Sequence, residues 1–152
     1  MARSPAFATD VDRHLVFNAS QHNLKCYRRD GTLEWHMEAH GEGTGGDSSL
    51  PNGNTPPGLY LVGRIEQTAG DDGYGPYAIK LDPIELDKGG TRDGIYIHGG
   101  GSGLKKPLAP RQGWRNTHGC IRVHNDELGR IVNKVRGVQG MKGQVWVTVK
   151  WW

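Results

Sequence analysis

Apolar residues recur in short alternating runs along this chain, and the runs are separated by turn residues, which is the pattern of β-strands. Leu15–Ser20 and Leu24–Arg28 predict two strands. Asp30-Gly31 predicts a tight hairpin turn into a third, Thr32–Ala39. Within it, Leu33, Trp35, Met37 and Ala39 fall on one face, with Glu34, His36 and Glu38 on the other, so one face of the sheet is expected to be buried. His36 and His40 read as exposed or strand-end positions.

Gly41–Asn54 is polar and rich in Gly and Ser, a loop that ends at Thr55-Pro56-Pro57-Gly58, where the prolines stiffen the lead into Leu59–Ile65. Gly70–Gly75 predicts another loop. Tyr77–Leu81 and Gly94–His98 read as short strands, with Tyr77 and Tyr96 packing on the sheet and His98 delivered at a strand end. Residues 99–116 then form an 18-residue connection with five glycines, two prolines and the cations Lys105, Lys106, Arg111 and Arg115. A connection of this length inside a small domain usually carries function or is disordered. Leu128, Ile131, Val132 and Val135 follow helical spacing, with Asn125 as N-cap and Gly137 or Gly140 as the stop. In Gln144–Trp152, Val145, Val147 and Val149 alternate with Trp146, Thr148 and Lys150, predicting a closing strand.

The length of 152 residues suits one domain over 1–152, with 1–13 as a flexible N-terminal segment. The 24 glycines favour a mainly β fold with one or two short helices. No run approaches the roughly 20 apolar residues of a membrane span, and the opening residues lack the apolar core of a secretory signal. No membrane anchor is therefore expected, and the sequence does not name the export route. Charge is uneven: residues 1–85 hold 7 Lys+Arg against 12 Asp+Glu, and residues 86–152 hold 12 against 4. A basic second half suits an anionic polymer, but no zinc-finger, helix-turn-helix or RNA-binding motif accompanies it, so no nucleic acid partner is expected.

Two cysteines do not make a disulfide framework. Cys26 sits in a strand pattern and is expected to pack as a small buried residue. Cys120 stands in Asn116-Thr117-His118-Gly119-Cys120-Ile121-Arg122, after a glycine and beside a histidine. A thiol, an imidazole and a turning backbone are the parts of a covalent acyl-transfer site. The following helix is expected to favour thiolate through its N-terminal amides. The N–H groups of His118, Gly119 and Cys120 can converge on an oxyanion because Gly119 lets the chain turn tightly.

His98-Gly99, followed by Thr117-His118-Gly119-Cys120 and Ile121-Arg122, resembles the signature of the YkuD-type L,D-transpeptidase catalytic domain. Phe17–Arg28, Asn54-Thr55-Pro56-Pro57-Gly58 and Val145–Val149 resemble that family's opening hairpin, Thr-Pro-x-Gly element and terminal strand. The resemblance implies a β-sandwich whose Cys120 attacks the bond between a diamino acid L-centre and terminal D-alanine in a peptidoglycan stem peptide. A thioester forms and is resolved by an amine, giving a 3→3 cross-link or D-amino-acid exchange, or by water, giving carboxypeptidase activity. By the same resemblance His98 is the base, oriented by a carbonyl close to Gly99, and the His118, Gly119 and Cys120 amides form the oxyanion hole. Arg122 would hold a substrate carboxylate or brace the site. Thr117, standing at the family's Ser/Thr position, would help orient His98. Trp114 and Asn116 are candidate substrate-binding residues, Trp114 being either a groove wall or a core anchor, and Asn116 also a residue that pins the turn. Gly100 and Gly101 stand where the family often has Ser or Thr. The implied site of action is the periplasm or cell wall, with no cofactor and no metal. A monomer is expected, with a cognate inhibitor if the chain is an effector acting on another cell's wall.

Two other readings compete. His98, His118, Cys120 and His124 are donor types that zinc accepts, although no His-Glu-x-x-His or paired Cys-x-x-Cys spacing occurs. A non-catalytic cell-wall binding module would keep the fold and use the basic second half to grip an anionic glycopeptide.

Overall fold

A computed structural model describes residues 5–43, 53–90 and 92–151. The alternating runs fold as β1 (Arg13–Asn18), β2 (Asn23–Arg28), β3 (Leu33–His40), β4 (Gly58–Asp71), β5 (Gly75–Leu86), β6 (Tyr96–His98), β7 (Ile121–Val123) and β8 (Val145–Lys150), with helix α1 (Asn125–Gly140) before the last strand. The strands lie in the order β1-β2-β3-β7-β6-β5-β4-β8, and β8 returns to pair with β1. The mainly β expectation is met, and the sandwich-like arrangement takes the form of one sheet closed on itself. Closure leaves neither edge of that sheet open. Much of the predicted loop Gly41–Asn54 lies outside the described residues, as do the first four residues of the N-terminal segment.

Most inward positions are those the period selected: Leu15 and Phe17, Leu24 and Cys26, Met37 and Ala39, Ile79 and Leu81, and the three valines of β8 are all buried, whereas Leu33, expected on the same face as Met37, is 45% exposed at the start of β3. Helix α1 packs on β5 and β8 through Leu128, Ile131, Val132, Val135 and Val138. Each such burial contributes about 1.5–3 kcal/mol. At the other end of the chain, Asp12 accepts from the N–H groups of Ala8 and Gln144, each at 2.8 Å, tying residues just ahead of β1 to the start of β8.

Four further local expectations change. Glu34 leaves the outer face because β3 shifts register against β2, with Cys26 opposite Trp35 and Tyr27 opposite Leu33. The shift turns Glu34 into an ion-pair cluster with Arg13 at 2.7 Å, Arg28 at 3.0 Å and Lys134 at 3.3 Å. The polar face of β8 is also covered, Thr148 being buried and bonded to His14 at 2.7 Å. β4 continues to Asp71, so the loop expected at Gly70–Gly75 shrinks to a hairpin tip at 72–74. Asn125 is not the cap of α1: His124 holds that position with extended backbone and no side-chain cap bond. The helix runs through Gly137 and ends at Gly140.

What positions the site is the parallel pairing of β6 with β7, Ile97 opposite Ile121 and His98 opposite Arg122. Both isoleucines are buried in the core. Because side chains alternate along a strand, His98 on β6 and Cys120 and Arg122 on the β7 side project to the opposite face. Two residues 22 positions apart in sequence thus become diagonal neighbours.

Candidate active site

His98 is buried, and its Nδ1 lies 2.7 Å from the Gly99 carbonyl oxygen. A carbonyl only accepts, so this bond places the ring proton on Nδ1 and leaves Nε2 with its lone pair. Burial lowers the His98 pKa from 6.5 to about 4, against a smaller opposing effect of the Gly99 carbonyl. The ring is therefore neutral at physiological pH.

Cys120 lines the same cleft, with its thiol donating to the Gly94 carbonyl at 3.3 Å. The expected thiolate stabilisation by a helix N-terminus is overturned. β7 intervenes before α1, and burial raises the thiol pKa despite the Tyr96 N–H, Arg122 and Arg92, which act the other way. The resting pair is a thiol and a neutral imidazole.

The turn before Cys120 is pinned at both ends of one peptide. Arg92 donates to the His118 carbonyl at 2.7 Å, and on the opposite side of that peptide the Gly119 N–H donates to Thr117 Oγ1 at 3.1 Å. The Thr117 hydroxyl in turn donates to the Cys120 carbonyl at 2.8 Å. Thr117 thus fixes the turn, and its hydrogen bonds do not go to His98. Gly119 is required twice over: its φ is +106°, and a Cβ there would stand 2.6 Å from an Arg92 nitrogen. Of the three N–H groups expected in an oxyanion hole, that of Gly119 is engaged within the turn.

Arg122 is buried and braces the site. Its guanidinium donates to the carbonyls of Gly99 and Gly73, each at 3.4 Å, and to that of Arg115. Gly99 therefore accepts from both His98 and Arg122, which ties the two side chains together. The Asn125 side chain accepts from the Gly100 N–H at 2.9 Å and donates to the carbonyls of Pro107 and Ala109. Gln112 bonds the Gly100 and Val123 carbonyls and accepts from the Asn125 N–H at 2.8 Å. Together they fasten the 99–116 connection to the start of α1. Gly100 and Gly101 meet the hairpin tip, the Gly101 N–H donating to Asp72 at 2.6 Å; a Cβ on Gly100 would stand 2.6 Å from the Asp72 oxygen.

The resulting cleft has a volume of about 400 Å³ and is lined by Asp71, Tyr74, His98, Ser102, Arg115, Asn116, Thr117, His118, Cys120 and Arg122. The Tyr74 ring meets the His98 ring edge-on at 4.9 Å. The His118 side chain is exposed, which leaves His98 as the imidazole enclosed with the thiol. Trp114 does not line the cleft; it stacks between His40, at 4.1 Å, and His124, at 4.3 Å. A larger groove of about 570 Å³ under α1, lined by Trp35, Arg130 and the Glu34 cluster, contains neither cysteine. Among the described residues, His98, His118, Cys120 and His124 do not gather as metal ligands. Arg92, Tyr74 and Gln112 were not singled out by sequence. Arg92 follows a glycine-rich turn with no periodicity, and Tyr74 sits in what reads as a loop.

A family model described as the L,D-transpeptidase catalytic domain, YkuD, matches residues 12–148. Among solved structures, the helical cell shape determining protein Pgp2 from Campylobacter jejuni is similar at 26% identity and TM-score 0.64, over 91% of this chain and 47% of that one. Bd1075 of Bdellovibrio bacteriovorus is similar in fold at 19% identity and TM-score 0.62, over 97% of this chain and 50% of that one. L,D-transpeptidase 1 of Mycobacterium tuberculosis is similar in fold at 19% identity and TM-score 0.53, over 90% of this chain and 60% of that one. This chain thus spans about half the length of the first two structures. Comparison with curated protein sequences gives no match. With the family model covering nearly the whole chain, and the signature residues converging on one cleft, the chain belongs to the YkuD family of L,D-transpeptidase catalytic domains.

Proposed function

We propose that this domain transfers peptidoglycan stem-peptide acyl groups through a thioester on Cys120. The observation that carries the reading is the His98 tautomer: the Nδ1 bond to Gly99 leaves Nε2 as a proton acceptor in the cleft that holds the thiol. Sγ of Cys120 attacks the carbonyl carbon of the diamino acid L-centre. The thiol proton passes to His98 Nε2. Because that ring is a weak base and the thiol a weak acid, the proton leaves as the new C–S bond forms, rather than from a preformed ion pair. The His118 and Cys120 N–H groups supply oxyanion donors, the second on the nucleophile's own residue, while the peptide between them is fixed by Arg92 and Thr117. His98 returns the proton to the departing D-alanine amine.

A stem amine then attacks the thioester and gives a 3→3 cross-link, or a free D-amino acid does so and gives exchange; water gives the tripeptide. Acceptor choice depends on what reaches the cleft between Tyr74 and Arg115. The enzyme works as a monomer in the periplasm or cell wall, without a metal or cofactor in this chemistry. Disaccharide-tetrapeptide muropeptides incubated with the protein are expected to yield a Cys120 adduct by intact mass and dimer, tripeptide or exchange product by chromatography. A Cys120→Ala protein that still formed those products would overturn the mechanism. Absence of any adduct would favour a wall-binding module.

A further inference from the structure

A second set of ligand-type side chains lies at the end of β3, outside the cleft. His22, in the β1–β2 turn, takes φ +54°, a left-handed conformation uncommon outside glycine. Its carbonyl accepts the Ala39 N–H at 3.1 Å, which sets the turn against β3. The His22 and His40 rings then stack at 4.1 Å, within 13° of parallel, and Trp114 covers His40 at 4.1 Å. Glu42 faces both imidazoles: one carboxylate oxygen lies 2.5 Å from His22 Nε2, the other 3.7 Å from His40 Nδ1.

The tautomer of His40 is the informative detail. Its Nε2 lies 2.7 Å from the Glu38 carboxylate, which fixes the proton on that nitrogen. Nδ1 then faces the Glu42 carboxylate at 3.7 Å, so a metal ion between them would take one ligand atom from each. Among the described residues the ion-pair partners of Glu38 and Glu42 are histidines and no Lys or Arg.

We propose that His22, His40 and Glu42 form a site for a divalent transition-metal ion, with zinc as the probe. Nε2 of His22, Nδ1 of His40 and a Glu42 oxygen all lie within 4.8 Å of one another. Tetrahedral zinc ligands at about 2.0–2.2 Å stand roughly 3.4 Å apart, so side-chain rotations of roughly an ångström close the set. Binding displaces the proton shared by His22 and Glu42. Glu38 is the outer carboxylate that orients a ligating histidine through its other ring nitrogen. The site also touches the catalytic turn. The Thr117 N–H donates to the Glu42 carbonyl at 2.9 Å, Gly43 pairs with Thr117, and Trp114 covers His40. An ion here anchors the turn at Thr117, away from the reacting atoms.

The test uses metal-stripped Cys120→Ala protein, so that the thiol contributes no affinity and the outcome does not depend on the peptidoglycan reading. Titration with zinc sulfate by calorimetry is expected to show one ion per chain, weakened at least tenfold in His22→Gln and in Glu42→Gln and unchanged in the exposed-residue control His36→Ala. Nitrogen-15 spectra of the histidines are expected to shift at His22 Nε2 and His40 Nδ1, and zinc is expected to raise the melting temperature of the parent but not of His22→Gln. Undiminished binding in both Gln variants, or shifts confined to other histidines, overturns the assignment. Absence of one-to-one binding overturns it also and leaves the cluster as a set of hydrogen bonds that holds the β1–β2 turn against β3.

Discussion

Cys26 and Cys120 are both free and both buried, yet their surroundings fit them for opposite uses. Cys26 lies on β2 with its Sγ 3.7 Å from Glu34, and burial followed by that negative charge raises its pKa to about 12. Around Cys120 burial also raises the pKa, but the Tyr96 N–H, Arg122 and Arg92 all favour the anion, and a neutral imidazole shares the cleft. Burial alone makes a thiol inert. What makes one usable is a proton acceptor together with groups that stabilise developing negative charge.

The comparison breaks most sharply on substitution of the two sulfurs. Cys120→Ala is expected to lose at least roughly 10³-fold in stem-peptide turnover, and Cys26→Ala to stay within about twofold, measured as product formed per enzyme. Iodoacetamide at pH 8 should label Cys120 in the folded protein and leave Cys26 unlabelled until it is denatured. Equal labelling would mean that the surroundings described here do not distinguish the thiols.

The next effect tests the pinned peptide, which Cys26 has no counterpart for. Thr117→Val removes the acceptor of the Gly119 N–H, and Arg92→Gln removes the charged donor to the His118 carbonyl. Hydrogen bonds to charged groups contribute about 1.5–3 kcal/mol and neutral ones about 0.5–1.5, so kcat is expected to fall roughly 10- to 100-fold in Arg92→Gln and roughly 2- to 10-fold in Thr117→Val. KM should change little, because the effect falls on oxyanion geometry rather than on ground-state binding. A rise in KM with unchanged kcat would instead place these residues in substrate binding.

Acid sharpens the difference through His98. Its pKa is 6.5 in the unfolded chain and about 4 when folded, so between those values the unfolded chain binds the extra proton. Its contribution to stability is thus constant above about 6.5 and falls as pH drops toward 4. The slope is about 1.4 kcal/mol per pH unit, giving roughly 2 kcal/mol lost by pH 5. Denaturant melts of His98→Gln should lack that share of the slope, and His14, also lowered to about 4, cancels in the difference. Asp12 and Glu34, lowered to about 2, lose their contributions only at more acid pH. Identical pH dependence of the two proteins would mean that His98 is not held neutral by burial.

The strands and the cleft residues were legible for different reasons. Period-two alternation found β1, β2, β3 and β8 because each buries a face that the pattern displays. His98, Cys120, His118 and Arg122 were legible because the turn motif is local and the family resemblance linked it to His98. Contacts made across the fold left no such trace. Glu34 turns inward only because of a register shift, Asn125 caps nothing because it bonds a distant connection, and the 72–74 turn looks like a loop because Gly70 and Gly73 flank Asp71 and Asp72. Arg92 acts on His118 from 26 positions away, and no spacing rule reaches that far.

The smallest effect asks what Cys26 does contribute. It is fully buried in the core of β2, and its sulfur makes only a long contact with Glu34, whose charge Arg13, Arg28 and Lys134 already neutralise. Removing the sulfur leaves a void of about one atom and disturbs no ion pair, so Cys26→Ala is expected to cost about 1 kcal/mol in a urea melt, with an unchanged m-value. Cys26→Val restores volume but places a methyl against the Glu34 carboxylate, and it should recover less than the full loss. If either variant lowered turnover beyond its effect on stability, the β2 core would be coupled to the cleft and the division between the two thiols would fail.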